Sequence, residues 1–503
     1  METLSLLLSG FAVATQPQNL FACMTGVIAG VLIGALPGLG PSTGVAVLLP
    51  LTFGVNPVTA IVMLAGIYYG AMYGGAIASI LINTPGDAAA VMTCMDGYPL
   101  AQKGRAGPAL GMSCFASFIG GTISVIVFTF LAPALAEATL WFGPPEYFAL
   151  MVMGLSTVSG LTGKSPFKGM VAMLVGLFLS CVGTDLVTGL PRFCFGRMEL
   201  YSGIEFITVA LGLFGIAELI NLAAGADAQP QLKREDVKLN LRSLLPNRQD
   251  WAVSWPHILR STGIGFFIGM LPGAGGTIAS FISYSTAKRV SKHPERFGEG
   301  AIEGVAAPES ANNAASVGAF VPLLALGVPG SATTAVLMGA LMMYNLRPGP
   351  LIFTRDPEFV WGLISSMYIG NVMLILLLLL FIPLFVRVLD IPNHTLVAWV
   401  LAFILAGSFG LNMSMFEVGI TVVFGAIGYL MKRLDYPAAP LVLALVLGNM
   451  LENSLRQSLL LSRGNISIFF TRPLSLTILL ISAAAILVPI ARSVLRAKPA
   501  LEQ

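Results

Sequence analysis

GVLIGALPGLG at residues 30–40 and GFFIGMLPGAG at residues 265–275 are two copies of one pattern, and they decide how this chain folds. Their prolines, Pro37 and Pro272, are 235 residues apart. In each copy an apolar segment with spaced glycines runs into Leu-Pro-Gly. Proline lacks an N–H, and glycine readily adopts left-handed dihedrals, so a helix ends there. Each copy predicts a helix that breaks inside an apolar part of the chain.

Two further pairs of segments follow in the same order. NTPGD at residues 83–87 matches GVPGS at residues 327–331, with prolines 244 residues apart. A weaker pair is SPFKG at residues 165–169 and SMFEVG at residues 414–419. Offsets that grow slowly and keep their order indicate two diverged copies with small insertions. The sequence therefore predicts a two-fold internal repeat.

Composition places this repeat in a membrane. Of the 503 residues, 56% are hydrophobic and only 10% are charged, whereas a soluble domain has roughly 25% charged residues. The net charge of +3 is too balanced for a nucleic-acid binder. Five cysteines without CxxC spacing and three histidines exclude a zinc ribbon and argue against a disulfide scaffold. We expect an all-α polytopic integral membrane protein.

Many apolar stretches have the length of about 20 residues that a bilayer crossing needs. They lie at residues 18–36, 58–82, 109–132, 145–163, 168–188, 203–225, 358–386, 395–411, 414–431 and 474–495. Shorter apolar pieces lie at residues 44–54, 258–271, 274–287, 314–327, 332–345 and 440–448. Short segments interrupted by glycine and proline are typical of the re-entrant hairpins and broken helices of transporters.

A polar stretch at residues 226–256 divides the chain into a first membrane half, residues 1–225, and a second, residues 257–503. Its lysines and arginines predict a cytoplasmic linker. Basic residues near the C-terminus predict the same side for that end, and an N-terminus without Lys or Arg predicts the opposite side. The number of crossings is then odd before the linker and even after it, so one half carries an extra helix or hairpin.

The breaks predict a polar site. Backbone groups freed inside a membrane need a cavity, a ligand or neighbouring protein, and helix N-termini favour anions. Small hydroxyl residues follow each break, among them Ser42, Thr43, Thr277 and Ser331. Such a site suits a carboxylate or a sodium ion. The alternative is that Leu-Pro-Gly only ends a helix and its glycines only allow close packing.

A second candidate site is the segment that contains Glu309, Asn312 and Asn313. Spacings of three and four place these side chains on one helical face. A carboxylate at membrane depth is a functional candidate, able to bind a cation or carry a proton. The alternative, compatible with the first, is that Pro308 begins a helix whose first turn favours an acid.

Other polar residues receive structural interpretations. Single acids in apolar stretches are interpreted as interface or helix-end residues: Asp185, Glu205, Glu218 and Glu417. Glu452 and Arg456, four residues apart, are predicted to form a local ion pair. Tyrosines at positions 68, 69 and 73 are interpreted as an aromatic belt, with a pore lining as the alternative.

Two motifs that suggest an enzyme fail on context. GPSTG at residues 40–44 fits GxSxG, but a nucleophile elbow needs a strand, a helix and a histidine partner. GLTGKS at residues 160–165 lacks the first glycine of a P-loop. We therefore predict no enzyme, no cofactor and no metal beyond a transported Na⁺. An ion gradient would supply the energy.

Long strings of this sequence resemble one known family, the TctA family, the large membrane subunits of bacterial tripartite tricarboxylate transporters. The resemblance rests on GVLIGALPGLGPSTGVAVLLPLTFG (30–54), YGGAIASILINTPGDAAAV (73–91), GMLPGAGGTIASFISYSTAKR (269–289), GVAAPESANNAA (304–315) and LGVPGSATTAVLMGAL (326–341). It implies a multi-pass permease of the bacterial inner membrane. Its partners would be a small membrane subunit and a periplasmic solute-binding protein. The family imports citrate, other tricarboxylates, dicarboxylates and other organic acids with a Na⁺ or H⁺ gradient.

The helix breaks and the family resemblance together predict which residues contact the substrate and the coupling ion. Carboxylate or ion contacts are expected from Ser42, Thr43, Asn83, Thr84, Thr277, Ser331 and Thr333. Open backbone for them is expected at Gly38, Gly40, Gly86, Gly273, Gly275 and Gly330. Coupling-ion candidates are Asp87, Glu309, Asn312 and Asn313. An elevator-type movement, with the two hairpins holding the substrate, is an analogy with other repeat-built carboxylate carriers.

Two other functions stay open at this point. A channel-like pore or scaffold subunit would show uptake without ion dependence, or no uptake. An intramembrane hydrolase using Ser42 would lose all activity in Ser42→Ala, whereas a carrier would keep some transport.

Overall fold

Helices make up nearly all of the structure, a computed structural model that describes residues 2–36, 39–138, 141–161, 166–185, 188–224, 241–271, 275–349, 351–388 and 392–496. Up to residue 224 they are α1 (Glu2–Ala14), α2 (Pro17–Ala35), α3 (Pro41–Leu48), α4 (Pro57–Ile82), α5 (Val91–Leu100), α6 (Ala106–Ala138), α7 (Pro144–Leu161), α8 (Pro166–Ser180), α9 (Phe206–Ala210) and α10 (Ala217–Ala224). From residue 241 they are α11 (Leu241–Leu244), α12 (Arg248–Gly269), α13 (Gly275–Val290), α14 (Glu303–Gly318), α15 (Phe320–Leu326), α16 (Ala332–Met343), α17 (Ile352–Arg355), α18 (Pro357–Val388), α19 (Asn393–Asn412), α20 (Met415–Arg433), α21 (Ala438–Leu461), α22 (Ile468–Thr471) and α23 (Pro473–Arg496).

Shorter elements connect these helices. Turns of 3₁₀ helix lie at Leu49–Thr52, Ala88–Ala90, Met198–Leu200 and Pro294–Arg296. Segments of π-helix lie at Ala101–Arg105 and Leu211–Ile216. Strands β1 (Gly183–Thr184) and β2 (Pro191–Arg192) pair antiparallel.

The predicted class, an all-α polytopic membrane protein, is confirmed. Within the described ranges, seven helical stretches are long and apolar enough to cross a membrane: Pro17–Ala35, Pro57–Ile82, Ala88–Leu135, Phe206–Ala224, Pro357–Ile382, Met415–Arg433 and Ala438–Leu461. Two predicted stretches were wrong in length. The piece at 440–448 belongs to the 24-residue α21, whose polar half carries Glu452 and Arg456. The stretch at 168–188 ends its helix at Ser180, before the β1–β2 ribbon.

Helix α4 is the most deeply buried of these stretches, with 94% of its most apolar window inside the fold. It is apolar on all sides, as expected of a helix that neighbours surround. Tyr68, Tyr69 and Tyr73 are 2%, 5% and 2% exposed. The aromatic-belt interpretation of these tyrosines is therefore wrong, because all three are buried inside the fold.

Glycines allow very close helix packing in two places, between α2 and α4 and between α12 and α14. A Cβ added to Gly34 of α2 would lie 2.1 Å from the carbonyl oxygen of Ala71 in α4. A Cβ added to Gly269 of α12 would lie 2.3 Å from the carbonyl oxygen of Ala315 in α14. Small residues at such crossings let helix backbones touch in membranes. Gly34 and Gly269, which make these two contacts, stand at the same position before their Leu-Pro-Gly motifs.

The next break packs in a matching way. Gly86 approaches the carbonyl of Gly34, where an added Cβ would lie 2.1 Å away, and Gly330 approaches that of Gly269, at 2.8 Å. Gly86 and Gly330 are 244 residues apart, the offset of their sequence motifs. These contacts support the internal repeat, which stays a prediction, as does the division into two halves joined by a linker.

Candidate functional site

The starts of five helical segments line one cavity of about 750 Å³. They are the first turns of α3 and α13, which follow the two Leu-Pro-Gly motifs, the first turns of α16 and α21, and the 3₁₀ turn Ala88–Ala90 that leads into α5. The first N–H groups of a helix have no partner within it, and its N-terminus carries partial positive charge. A wall built from such ends suits an anion.

Many predicted site residues meet in this wall. They are Gly40, Ser42, Thr43, Gly86, Asp87, Gly275, Thr277, Ser331 and Thr333. The volume lies within the range of roughly 300–1,000 Å³ usual for small-molecule sites. The breaks therefore bring together residues that lie as far apart in sequence as Gly40 and Thr333.

Local side-chain caps fix two of the helix starts. Asp87 accepts a hydrogen bond from the N–H of Ala90 at 3.0 Å through Oδ1. Ser331 accepts one from the N–H of Thr334 at 3.2 Å, and Thr334 Oγ1 accepts one from the N–H of Ser331 at 2.8 Å. This second arrangement is a reciprocal capping box. Both caps hold a polar oxygen at the cavity wall.

The hydroxyls of the wall differ in how they are used. Thr43 donates to the carbonyl of Phe214 at 3.1 Å, and Ser331 Oγ lies 3.3 Å from the hydroxyl of Tyr68. In the part of the chain that the structure describes, the hydroxyls of Ser42, Thr277 and Thr333 have no hydrogen-bond partner. They are available to a bound solute.

Comparison with known proteins now decides the family. Residues 20–443 match the model of the tripartite tricarboxylate transporter TctA family. The chain belongs to the TctA family. As a member it is a multi-pass membrane subunit of a transporter that works with other subunits.

Relatives of this family member have been found in Agrobacterium vitis. One, named "Uncharacterized 52.8 kDa protein in TAR-I ttuC' 3'region", is 42% identical over 495 residues, 98% of this chain and 97% of the relative. Another, named "Uncharacterized protein in TAR-II ttuC' 3'region", is 44% identical over 215 residues, 43% of this chain and 89% of the relative. No solved structure matches the chain significantly.

Some predicted site residues lie elsewhere. Asn83 is exposed at the C-terminal end of α4, with a φ of 54°, and Thr84 donates to the carbonyl of Ile82 at 3.2 Å. Gly330 is buried against α12, just outside the cavity lining. Gly38 and Gly273, like the two motif prolines, lie outside the described residues.

The coupling-ion candidates separate into two places. Asp87 is in the cavity wall, whereas Glu309, Asn312 and Asn313 are 0%, 1% and 2% exposed in α14. Glu309 accepts hydrogen bonds from the hydroxyls of Thr93 at 2.5 Å and Ser117 at 3.3 Å. The three α14 residues with Thr93 and Ser117 form what we call the Glu309 cluster.

The Glu309 cluster lies just behind the cavity. A Cβ added to Gly276, which lines the cavity, would lie 3.6 Å from the backbone oxygen of Asn312. Asn313 Nδ2 donates to Ser117 Oγ at 2.8 Å and to Asn312 Oδ1 at 2.5 Å, but Asn312 Nδ2 and Asn313 Oδ1 have no hydrogen-bond partner among the described residues. Buried polar groups without partners are costly, so these atoms offer contacts to water or an ion.

Four further residues of the wall were not expected at the site from the sequence: Met72, Glu218, Lys432 and Tyr436. Tyr68 also lines the cavity, in agreement with the pore lining given as the alternative for the three tyrosines. Glu218 was interpreted as a helix-end residue, and it does lie in the first turn of α10, but it pairs there with Lys432 at 2.7 Å. No local pattern joins residues that are 214 positions apart.

Proposed function

We propose that this chain is the permease subunit of a binding-protein-dependent secondary transporter. It imports small carboxylates of the tri- or dicarboxylate type, driven by a sodium or proton gradient. The observation that carries the proposal is the convergence of five helical starts on one cavity. Family membership supports the transporter class, and the polar groups that line the cavity support an anionic solute.

The cavity favours carboxylates for a physical reason. A carboxylate accepts several hydrogen bonds, and the wall offers helix N–H groups together with the hydroxyls of Ser42, Thr277 and Thr333, which have no partner among the described residues. Hydrogen bonds to a charged acceptor are roughly twice as strong as neutral ones. An apolar solute would leave these donors unpaired.

The Glu309 cluster is the proposed coupling site. A buried carboxylate with neighbouring amides and hydroxyls can hold Na⁺ through its oxygens or carry a proton. Asn312 of the cluster lies directly behind Gly276 of the cavity wall, so a bound ion and a bound substrate would be close enough to influence each other. Asp87, in the cavity wall, is the second coupling candidate.

The rest of the assembly is proposed by analogy with the family. Partners are a small membrane subunit and a periplasmic solute-binding protein, and the site of action is the bacterial inner membrane. The substrate would move while held between the elements that follow the two Leu-Pro-Gly motifs, in an elevator-type movement.

The test is uptake into proteoliposomes that contain this chain and its small subunit. Radiolabelled citrate, malate and acetate are the probes, with the cognate binding protein added or omitted and a sodium or proton gradient imposed in turn. We expect uptake of a di- or tricarboxylate that needs both the binding protein and one gradient. Uptake indifferent to both would instead favour a channel, and no uptake of any probe would contradict the proposal.

Replacement of the cluster carboxylate tests the coupling step. In Glu309→Gln we expect exchange of the substrate across the membrane to continue while gradient-driven accumulation falls at least tenfold, because the amide can neither carry the charge nor the proton. The matched control is Glu303→Gln, on the same helix, where the carboxylate bonds Ser291 at 3.1 Å. Accumulation that survives in Glu309→Gln as in the control would remove the cluster from the mechanism.

A further inference from the structure

The cavity wall carries one basic side chain among the residues that the structure describes, and that side chain is already paired. Lys432, in the last turn of α20, donates to both carboxylate oxygens of Glu218, at 2.7 and 3.0 Å. The side chains are 54% and 20% exposed. Both residues line the cavity onto which the helix starts open.

Close packing of α20 on α10 places this pair. A Cβ added to Gly428 would lie 2.8 Å from Cβ of Ala217 and 3.0 Å from Cα of Leu213, so a larger residue would separate the helices. Lys432 follows Gly428 by about one helical turn, and Glu218 directly follows Ala217. The glycine contact therefore brings the two charges together at the cavity.

The charge balance of the wall makes the pair important for an anion. Asp87 is the other charged residue of the described lining, so with Lys432 neutralised by Glu218 the wall has a net formal charge of −1. This sum is the same whichever carboxylate Lys432 pairs with, so an incoming anion needs Lys432 as its direct counter-ion to offset the repulsion from Asp87 and Glu218. Partly exposed ion pairs contribute little net free energy, so an exchange of partners is easy. A substrate carboxylate is chemically the same ligand as the side chain of Glu218.

We propose that a carboxylate of the transported anion displaces Glu218 from Lys432. Lys432 is then the cationic residue that recognises the anion, and Glu218 pairs with Lys432 when no substrate is bound. The inference rests on the proposed function and adds to it the residue that selects an anionic group.

The test measures KM and Vmax of citrate and malate uptake in the reconstituted complex, with direct binding of both probes to the purified protein. In Lys432→Gln we expect KM to rise at least tenfold, and in Lys432→Arg much less. In Glu218→Gln we expect KM to fall severalfold, because the competing carboxylate is gone. In the double variant, Glu218→Gln should have no further effect, since the residue on which it acts is absent.

A matched control separates recognition from general charge. Arg433→Gln removes a charge one residue further along, where the guanidinium lies 5.1 Å from the ring of Tyr429 and outside the cavity lining, and KM should not change. A purely structural ion pair would raise KM in both single variants, which would overturn the inference.

The two proposals fail in different ways. Unchanged KM in Lys432→Gln, with normal uptake by the unaltered protein, contradicts this inference alone. Failure of the unaltered protein to bind or import either probe contradicts the proposed function, and this inference with it.

Discussion

Some hydroxyl groups in the cavity wall make hydrogen bonds within the protein and others do not. Only the second kind can be removed to test substrate binding without also affecting stability. Ser331 caps α16, so its removal would also cost helix stability, typically about 1 kcal/mol. Thr43 holds the carbonyl of Phe214. Thr277 lines the cavity without a partner among the described residues, so its hydroxyl has no structural bond to lose.

We therefore predict that Thr277→Val weakens substrate binding without weakening the fold. A hydrogen bond to a charged acceptor contributes about 1.5–3 kcal/mol, so its loss corresponds to a roughly ten- to hundredfold increase in KM. Uptake kinetics and thermal unfolding of the purified protein measure both effects. Thr25→Val, on the surface of α2 where the hydroxyl bonds the carbonyl of Phe21 at 2.8 Å, is the control and should leave KM unchanged. A KM unaffected by Thr277→Val would exclude this hydroxyl from the site.

Helices next to the breaks depend on glycine contacts that act over whole elements. Along α12, Gly265 and Gly269 face α14, where added Cβ atoms would lie 2.2 and 2.3 Å from backbone oxygens. Around Gly263 of the same helix, no atom of the described residues lies within 4 Å of the position a Cβ would take. The spacing of glycines in the sequence does not show this difference.

We predict opposite results for two alanine variants of α12. Gly265→Ala should lower the thermal midpoint, because the new methyl group meets the backbone of Ala311 and overpacking costs about 1–3 kcal/mol. Gly263→Ala should leave the midpoint unchanged or raise it slightly, because alanine favours helix by up to about 1 kcal/mol over glycine. Equal midpoints in the two variants would contradict the packing of α12 on α14.

Across the whole molecule, buried charges tie the first part of the chain to the second. Asp96 of α5 is fully buried, and its Oδ1 accepts bonds from the N–H groups of Gly298, Gly300 and Ala301 at 2.8–2.9 Å. The hydroxyl of Tyr284 donates to its Oδ2 at 2.8 Å. This carboxylate fixes the loop before α14, the helix that carries the Glu309 cluster.

We predict that Asp96→Asn destabilises the protein by about 1–3 kcal/mol, because an amide cannot accept all these bonds and places a donor against donors. The measurement is the thermal unfolding midpoint of the purified protein. Glu199→Gln, an exposed acid in a 3₁₀ turn, is the control. A midpoint as high as that of the control would show that the anchor is dispensable.

Pattern reasoning succeeded where chemistry is local. Glycine and proline end helices for reasons contained in two or three residues, so the breaks near residues 36 and 271 could be predicted. The ion pair of Glu452 and Arg456, also local, is confirmed at 2.6 Å. The same pair extends through contacts of Arg456 and Arg192 with Asp185, which no local pattern contained.

The class of the molecule, the places where its helices break and the polar residues after each break could be predicted, because they depend on composition and on the chemistry of neighbouring residues. Which of those residues line the cavity became clear only from the packing of the helices. In the structure Asp87 lines the cavity and Glu309 lies behind it. Tyr68 is buried, and Lys432 pairs with Glu218. Such neighbours arise from packing between distant helices, where the approach of two backbones at a glycine decides which side chains meet.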